Sequence, residues 1–376
     1  MRERLDVKMI TYITKNLPGI GGVMRTYPED FIVEEIPAYD LINQGEHIFV
    51  EVTKRQITTQ AVVGELAAAL NIKSSDIGYA GMKDRQAVTT QRFSIPAALW
   101  PLKGNSAPLS VNEIITPQEL VEHLFMPDNL TFQLKILGLH NNKLRTGHLK
   151  GNRFIIRLRH CVSNWPELVE PIRQAIINDG FANFYGPQRF GREGNNAEIG
   201  LKGLRSGKIF GPKWRKWLII SALQSELFNV WLNERINDGL FGTAICGDVF
   251  GKLPQGGIFY STEPQNEQPR LDTFEISPLG PIFGCKMFKA KEEALAREQK
   301  ILDQYNIKLE EFKPLKAEGS RRKARLKIED LRIATVEGDP VFNFTLPSGS
   351  YASVLIGEFT KTSDQSTSED DDTASE

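Results

Sequence analysis

A short segment between two predicted elements of secondary structure is the most constraining feature of this sequence. Residues 58–70 have the spacing of a short amphipathic helix, and residues 88–95 alternate like a half-buried strand. The segment that connects them contains Gly78 and Gly81. Two glycines this close together allow the backbone to turn tightly and to approach a ligand.

The same segment carries one carboxylate between two cations, because Asp84 follows Lys83 and precedes Arg85. Opposite charges nearby favour an ionised carboxylate, and an ionised carboxylate can act as a nucleophile. Side-chain alternation could also direct both cations away from Asp84, and the composition alone is equally typical of a solvated turn. The segment is therefore a candidate catalytic loop on residue types alone.

Length and composition limit the class of protein. A chain of 376 residues suggests two domains, and 40% hydrophobic with 25% charged residues is typical of a soluble globular protein. No apolar run is long enough for a membrane span, and the charged N-terminus lacks the apolar core of a signal peptide. The three cysteines, Cys161, Cys246 and Cys285, lie far apart, so we expect neither disulfides nor thiolate zinc, and a cytoplasmic location.

Charge is distributed unevenly along the chain. Residues 363–376 contain six acidic residues and no Lys or Arg, so removing them changes the formal charge from -1 to +5. This tail has no large hydrophobic side chain, and we predict that it is disordered. Two basic runs, residues 202–216 and 313–332, suit phosphate contacts, although charged runs are usually solvated surfaces.

A predicted strand near residue 150 supplies a candidate surface for a nucleobase. Asn152, Phe154, Ile156 and Leu158 share one face of this strand. An amide beside an aromatic ring can hydrogen-bond to a base and stack on it, whereas a core phenylalanine next to a turn asparagine would give the same pattern.

The sequence lacks the motifs of several enzyme classes. The sequence contains no Gly-rich Lys-Ser/Thr phosphate loop, no Gly-x-Gly-x-x-Gly, no His-x-x-x-His or Cys/His quartet, and no Gly-x-Ser-x-Gly elbow. We therefore expect no metal, no nucleotide cofactor and no serine-hydrolase chemistry.

Five sequence blocks resemble one family of RNA-modifying enzymes. Residues 81–91, Gly-Met-Lys-Asp-Arg-Gln-Ala-Val-Thr-Thr-Gln, match every fixed position of the Gly-x-Lys-Asp-x-x-Ala-x-Thr-x-Gln signature of the TruD (pseudouridine synthase D) family. Residues 183–191, Asn-Phe-Tyr-Gly-Pro-Gln-Arg-Phe-Gly, resemble its second signature. The other blocks are Pro-Glu-Asp-Phe at 28–31, Lys-Gly-Asn-Arg-Phe at 150–154 and Leu-Pro-Ser-Gly-Ser-Tyr-Ala at 346–352. They occur in family order and cover most of the chain apart from its acidic tail.

The resemblance implies a reaction. Pseudouridine synthases break the N1–C1′ bond of a uridine, turn the uracil and re-attach it through C5, without a cofactor or metal. Asp84 matches the nucleophile, which attacks either C1′ of the ribose or C6 of the uracil. Bacterial members act on uridine 13 of tRNA, so tRNA is the expected partner. The enzyme is expected to act as a monomer. A base in a helix must be flipped out to reach such a site.

The resemblance also implies binding residues. By carry-over, Phe31, Asn152 and Tyr351 contact the flipped nucleotide, and Phe154 packs on its base. The family most often has Phe at the position of Tyr351. Arg25 occupies a position where the family commonly has Lys, and an Arg there can pair with a carboxylate in bidentate geometry. Lys83 completes the expected substrate-binding set.

The implied architecture is α+β. Residues 1–179 and 327–362 would form a discontinuous catalytic domain with a mixed, largely antiparallel sheet. Residues 180–326 would form an inserted, family-specific α/β domain.

Two other interpretations remain open. An RNA-binding protein with lost or secondary isomerase activity, such as a tRNA-folding factor, would share the basic runs and aromatics but would not need Asp84. An Asp-dependent glycosidase acting on small nucleosides would need a second carboxylate, which Glu29, Asp30, Glu34 or Glu35 could supply.

Overall fold

The computed structural model describes residues 10–104, 114–127, 130–254 and 256–362. The prediction for the acidic tail at 363–376 falls outside these residues. Two compact units make up the chain. The first contains the described residues of Met1–Gly21, Val162–Glu329 and Ser350–Asp371, and the second contains Gly22–Cys161 and Asp330–Gly349, apart from the undescribed positions.

Helices and strands are both abundant in the described residues, as expected for an α+β protein. The strands are β1 Gly21–Val23, β2 Phe31–Pro37, β3 His47–Arg55, β4 Gly78–Tyr79, β5 Val88–Pro96, β6 Gln133–His140, β7 Leu149–Arg157, β8 Arg159–Cys161, β9 Phe181–Ala182, β10 Val249–Lys252, β11 Ile258–Tyr260, β12 Ile276–Ile282, β13 Ser320–Lys323, β14 Arg325–Leu326, β15 Arg332–Val336 and β16 Asp339–Pro347. The α-helices are α1 Thr59–Leu70, α2 Pro117–His123, α3 Trp165–Asp179, α4 Asn196–Ser206, α5 Lys213–Asn237, α6 Pro264–Asp272, α7 Glu292–Gln304 and α8 Ala352–Thr360.

The second unit is organised around a single eight-stranded sheet. Its strand order is β15-β16-β7-β2-β5-β3-β6, with β4 paired to β5. The pair β2–β5 is parallel, and the other pairs in this sheet are antiparallel. This confirms the predicted mixed, largely antiparallel sheet.

The core of the second unit lies between this sheet and α1. Alternate residues of β3 (Ile48, Val50 and Val52) pack in one cluster with Leu66 and Leu70 of α1. Thr58 caps the helix, because its side chain accepts a hydrogen bond from the backbone N–H of Ala61. The helix predicted at 58–70 and the strand predicted at 88–95, which precede and follow the candidate catalytic loop, are confirmed within one or two residues.

The first unit contains α3–α8 and two smaller sheets. One has the order β11-β10-β12-β13, and the other pairs β14 with β9. The long helix α5 starts at Lys213 although its predicted apolar spacing begins only at Ser221, because residues 213–217 are exposed and the buried part of the helix begins at Ile219. These units have boundaries different from those of the domains at 1–179/327–362 and 180–326, and that domain assignment stays a prediction.

Candidate active site

Asp84 lies on the loop between β4 and β5, and tight packing fixes where this loop begins. A Cβ on Gly78 would clash with the backbone carbonyl of Leu144 and with the Ser94 hydroxyl, so only glycine fits there. At Gly81, by contrast, no described atom lies within 4 Å of the place a Cβ would take. The loop therefore starts from a close-packed position and then runs through open space.

Lys54 anchors the loop from beneath. Its side chain is 1% exposed, and its ammonium donates hydrogen bonds to the backbone carbonyls of Asp84 at 2.8 Å, Ile57 at 2.7 Å and Lys83 at 3.4 Å. Sequence reasoning missed this residue. Its position in the strand could have revealed it, because Lys54 continues the alternation of Ile48, Val50 and Val52 on the core-facing side of β3.

Two polar side chains, one from the family signature and one from α1, hold the start of the loop. Gln91 donates from Nε2 to the carbonyl of Gly81 at 3.0 Å and accepts on Oε1 from the Thr59 hydroxyl at 2.9 Å. The Thr59 hydroxyl in turn accepts from the backbone N–H of Lys83 at 3.0 Å. Thr59 and Gln91 are both buried, so these bonds form away from water and fix the backbone that carries Asp84.

Arg25 contacts both Asp84 and an aromatic ring. Its Nη2 lies 3.2 Å from Oδ2 of Asp84, and its Cζ lies 4.1 Å from the centroid of the Phe31 ring. The Arg25 side chain is 6% exposed, whereas that of Asp84 is 46% exposed. Arg25 also has a φ of 60°, a left-handed conformation that costs free energy in a residue other than glycine. The result is a carboxylate that is oriented on one side and accessible on the other.

Lys83 has a different partner from Asp84. Its ammonium lies 2.9 Å from Oε2 of Glu35, and both side chains are almost completely buried. The other carboxylate oxygen of Glu35 accepts the backbone N–H of Arg92 at 3.3 Å. In this conformation the Lys83 ammonium links the loop to β2 and β5 inside the protein, so its expected contact with substrate stays a prediction.

Asn152 and Phe154 lie on the face of the sheet that also carries Phe31. Asn152 is the cross-strand neighbour of Glu35, and Phe154 is the neighbour of Val33. Phe154 packs edge-on against Phe31 at 6.2 Å and stacks with Phe344 at 5.5 Å between ring centroids. The alternation predicted for this strand is confirmed.

The amide oxygen of Asn152 is buried, and no described residue hydrogen-bonds to it. Buried side-chain oxygens are nearly always paired, so this unpaired one can accept a hydrogen bond from a ligand at the candidate site. Of the predicted site residues, Arg25, Phe31, Asp84, Asn152 and Phe154 all belong to the second unit, as does Lys83.

Tyr351 belongs to the first unit, where it immediately precedes α8. Its ring packs edge-on against Tyr185, with centroids 5.9 Å apart. A Cβ on Gly186 would lie 2.9 Å from Cδ1 of Tyr351, so the glycine lets the two segments approach. Burial raises the pKa of Tyr351, and the positive charges of Arg189 and Arg322 oppose that shift. The phenol is therefore neutral at physiological pH.

Three arginines of the second basic run do not face solvent as a phosphate-binding surface requires, although Lys313, Lys316, Lys327 and Arg332 are exposed. Arg321 is almost completely buried in an ion pair with Glu298. Arg322 lies 4.0 Å from the Tyr185 ring centroid and donates to Oδ1 of Asn183 at 2.8 Å. Arg325 is 5% exposed and donates to the backbone carbonyl of Leu271 at 3.0 Å. These guanidinium groups face the protein interior because their strands pair within the first unit.

No group of three or more His, Cys, Asp or Glu residues in the described part of the chain could hold a metal ion. In the same residues, no helix is both long and apolar enough to cross a membrane.

Comparisons with known proteins identify the family of this chain. A family model described as tRNA pseudouridine synthase D (TruD) matches residues 6–207 and 212–359. The tRNA pseudouridine synthase D of Anaeromyxobacter sp. (strain Fw109-5) is 41% identical over 359 residues, which cover 93% of this chain and 95% of the relative. The protein of that name from Thermus thermophilus is 38% identical over 351 residues, covering 93% of this chain and 92% of the relative.

The fold has a solved counterpart. A crystal structure described as a putative tRNA pseudouridine synthase D (TruD) from Methanosarcina mazei matches with a TM-score of 0.71 and 22% sequence identity. The match covers 96% of this chain and 98% of the other. At this identity the match shows a shared fold, whereas the family model and the curated relatives establish membership. The chain belongs to the tRNA pseudouridine synthase D (TruD) family.

Proposed function

We propose that this protein converts one uridine of tRNA, expected at position 13, into pseudouridine, with Asp84 as the nucleophile. The observation that carries the proposal is the state of Asp84. Its backbone is held by a buried lysine, one carboxylate oxygen is oriented by Arg25, and 46% of the side chain remains exposed. A nucleophile needs this combination of fixed position and access.

The reaction is an isomerisation and balances without an added reagent. The Asp84 carboxylate attacks C1′ or C6 of the target uridine, and the N1–C1′ bond breaks with its electron pair going to the uracil. The uracil turns, C5 bonds to C1′, the bond between Asp84 and C1′ or C6 breaks and returns the carboxylate, the C5 proton leaves and N1 gains a proton. Phe154 has no titratable proton, so it cannot be the base that removes the C5 hydrogen.

The surroundings of Asp84 suit a flipped nucleotide. Phe31 and Phe154 are only 1% and 7% exposed, whereas Asn152 has an unpaired amide oxygen next to them in the sheet. Unpaired bases are usually held by stacking on aromatic rings and by hydrogen bonds to their edges, so Asn152 is the best placed of the three to contact a base in this conformation. Tyr351 is proposed to contact the same nucleotide.

The glycosidase alternative lacks a free second carboxylate among its candidates. Asp30 makes two hydrogen bonds to Arg159, at 2.7 and 2.8 Å, and Glu35 pairs with Lys83. Glu29 pairs with Arg55 at 2.5 Å, and Glu34 pairs with Arg153 at 3.5 Å. Each of these four carboxylates is paired with a cation, so none is left unpaired to act as the general acid that a glycosidase needs.

The proposal includes tRNA as partner, a monomeric enzyme in the cytoplasm and no cofactor or metal. An unmodified tRNA transcript with uridine 13 would be incubated with the protein in the presence of a chelator, and every uridine would then be mapped for pseudouridine. We expect conversion at uridine 13. Conversion at another uridine would support the reaction and contradict uridine 13 as its target. Tight binding without any conversion would favour the folding-factor alternative.

A further inference from the structure

Three large aromatic side chains are exposed within eight residues of the first unit. Phe210 is 83% exposed, Trp214 is 47% exposed and Trp217 is 63% exposed. They lie on the connection between α4 and α5 and on the first turns of α5. Exposed aromatics grouped in this way mark a binding surface more often than chance.

The surroundings of these aromatics are strongly basic. Residues 199–225 contain no Asp or Glu. Their Lys and Arg side chains are all exposed: Lys202, Arg205, Lys208, Lys213, Arg215 and Lys216. Like-charged patches of two copies would repel, so this composition favours a polyanion over a second copy of the chain.

A chain of side-chain contacts joins Trp217 to Tyr351. The Cζ atom of Arg189 lies 5.6 Å from the Trp217 ring centroid and 5.5 Å from that of Tyr185, and Tyr185 packs against Tyr351. Arg189 is held in place because its Nε donates to the Ser225 hydroxyl at 3.0 Å. All these residues belong to the first unit. The aromatic surface is thus continuous with a residue proposed to contact the target nucleotide.

We propose that Trp217, with Trp214 and Phe210, forms a stacking platform for unpaired nucleotides of the substrate RNA. Aromatic faces stack on any base, and the surrounding lysines and arginines neutralise the phosphates. Arg189 and Tyr185 connect this platform to Tyr351. The choice of tRNA as the RNA rests on the proposed function, but the stacking chemistry does not.

The test compares Trp217→Ala with Trp217→Phe and with a matched control, Tyr260→Ala. Tyr260 is a 46% exposed aromatic of the same unit, and the Lys291 ammonium lies 5.6 Å from its ring centroid. Equilibrium binding of an unmodified tRNA and of a short oligouridylate would be measured for each variant. Loss of one stacked base weakens affinity about five- to 150-fold. We expect such a loss in Trp217→Ala, retention within about threefold in Trp217→Phe, and wild-type affinity in Tyr260→Ala.

Tryptophan fluorescence supplies a second measurement that does not depend on an alanine variant. RNA should quench the tryptophan fluorescence of the wild-type protein more than that of Trp217→Phe, because a base stacks on the Trp217 indole and the variant lacks this indole. Equal quenching, or equal RNA affinity of Trp217→Ala and wild type, would overturn the proposal. A change in oligomeric mass in Trp217→Ala without a change in RNA affinity would instead identify a contact between copies and would also overturn it.

Failure of the proposed function gives a different result. If wild-type protein modifies no uridine yet binds RNA through Trp217, the reaction assignment fails and the platform stands. If wild type modifies tRNA and Trp217→Ala binds normally, the platform alone fails.

Discussion

The ammonium of Lys54 donates a hydrogen bond to the backbone carbonyl of Asp84, at 2.8 Å, from a position that is almost fully buried. The bond ties the candidate nucleophile to the central sheet through its main chain and leaves its carboxylate free to react. Three carbonyls share this one cation, so the loop depends on it.

Replacement of Lys54 by Met should lower kcat much more than it weakens RNA binding. The three carbonyls lose their donor, and displacement of the loop by about 1 Å costs on the order of a hundredfold in rate. Single-turnover rates and RNA affinity would be measured beside Lys135→Met, which removes an exposed lysine from the same sheet. Normal turnover by Lys54→Met would show that the loop holds its position without this anchor.

Substitution of Arg25 should distinguish charge from geometry. Arg25→Lys keeps a cation but loses the planar group that lies over Phe31 and faces Asp84. We expect Arg25→Lys to retain more activity than Arg25→Met, with both lower than wild type by about tenfold or more. Equal activity of the two variants, measured at saturating tRNA, would exclude a role for the charge.

Asn152→Leu should separate function from stability. The substitution removes a buried oxygen that has no hydrogen-bond partner among the described residues, so it should leave the free energy of unfolding unchanged or slightly higher. Activity should fall, because the amide is proposed to contact the flipped nucleotide. Urea unfolding and conversion rates would be compared, and a large loss of stability would assign Asn152 a structural role.

Arg321→Ala should destabilise the protein rather than weaken RNA binding through a lost phosphate contact. Removing one partner of a buried ion pair costs about 3–5 kcal/mol, because the Glu298 carboxylate is left uncompensated. Lys313→Ala is the control, since Lys313 is an exposed residue of the same basic run. A wild-type urea midpoint with a reduced salt dependence of RNA binding would restore the original interpretation of this run.

Glu226 should make stability fall as pH rises from about 4.5 to about 7. Burial raises the pKa of Glu226 to about 7 from an ordinary value of 4.5. Between these values the unfolded chain releases its proton while the folded chain keeps it, so the unfolded state gains stability as pH rises. The full effect is about 3 kcal/mol above pH 7 and vanishes below the ordinary value.

The corresponding measurement is urea unfolding of Glu226→Gln and wild type at pH 5 and pH 8. We expect Glu226→Gln to exceed wild type in free energy of unfolding by a larger margin at pH 8 than at pH 5. Glu310→Gln, at an exposed position, should show no such difference. A pH-independent difference between Glu226→Gln and wild type would contradict the raised pKa.

The sequence predicted the elements that periodicity controls. The strand at 88–95 follows from alternation and the helix at 58–70 from amphipathic spacing, and both are confirmed. It did not predict which charges are buried. Lys54, Arg321 and Arg325 are typical surface residue types, and only tertiary contacts between distant segments bring their partners to them.

Sequence neighbours did not predict the ion pairs of the candidate site. Asp84 lies between Lys83 and Arg85 in sequence, whereas its cation in the structure is Arg25, 59 positions away, which only the family resemblance indicated as a partner for a carboxylate. Lys83 pairs with Glu35 because β2 and β5 are parallel neighbours, a relationship that no local pattern encodes.

The most direct test of the central claim is conversion of uridine 13 by Asp84→Asn, measured together with tRNA affinity. Asp40→Asn serves as control, because Asp40 is an exposed aspartate of the same unit. We predict that Asp84→Asn binds tRNA like wild type and forms no pseudouridine, while Asp40→Asn is fully active. Pseudouridine formation by Asp84→Asn at the wild-type rate would contradict Asp84 as the nucleophile.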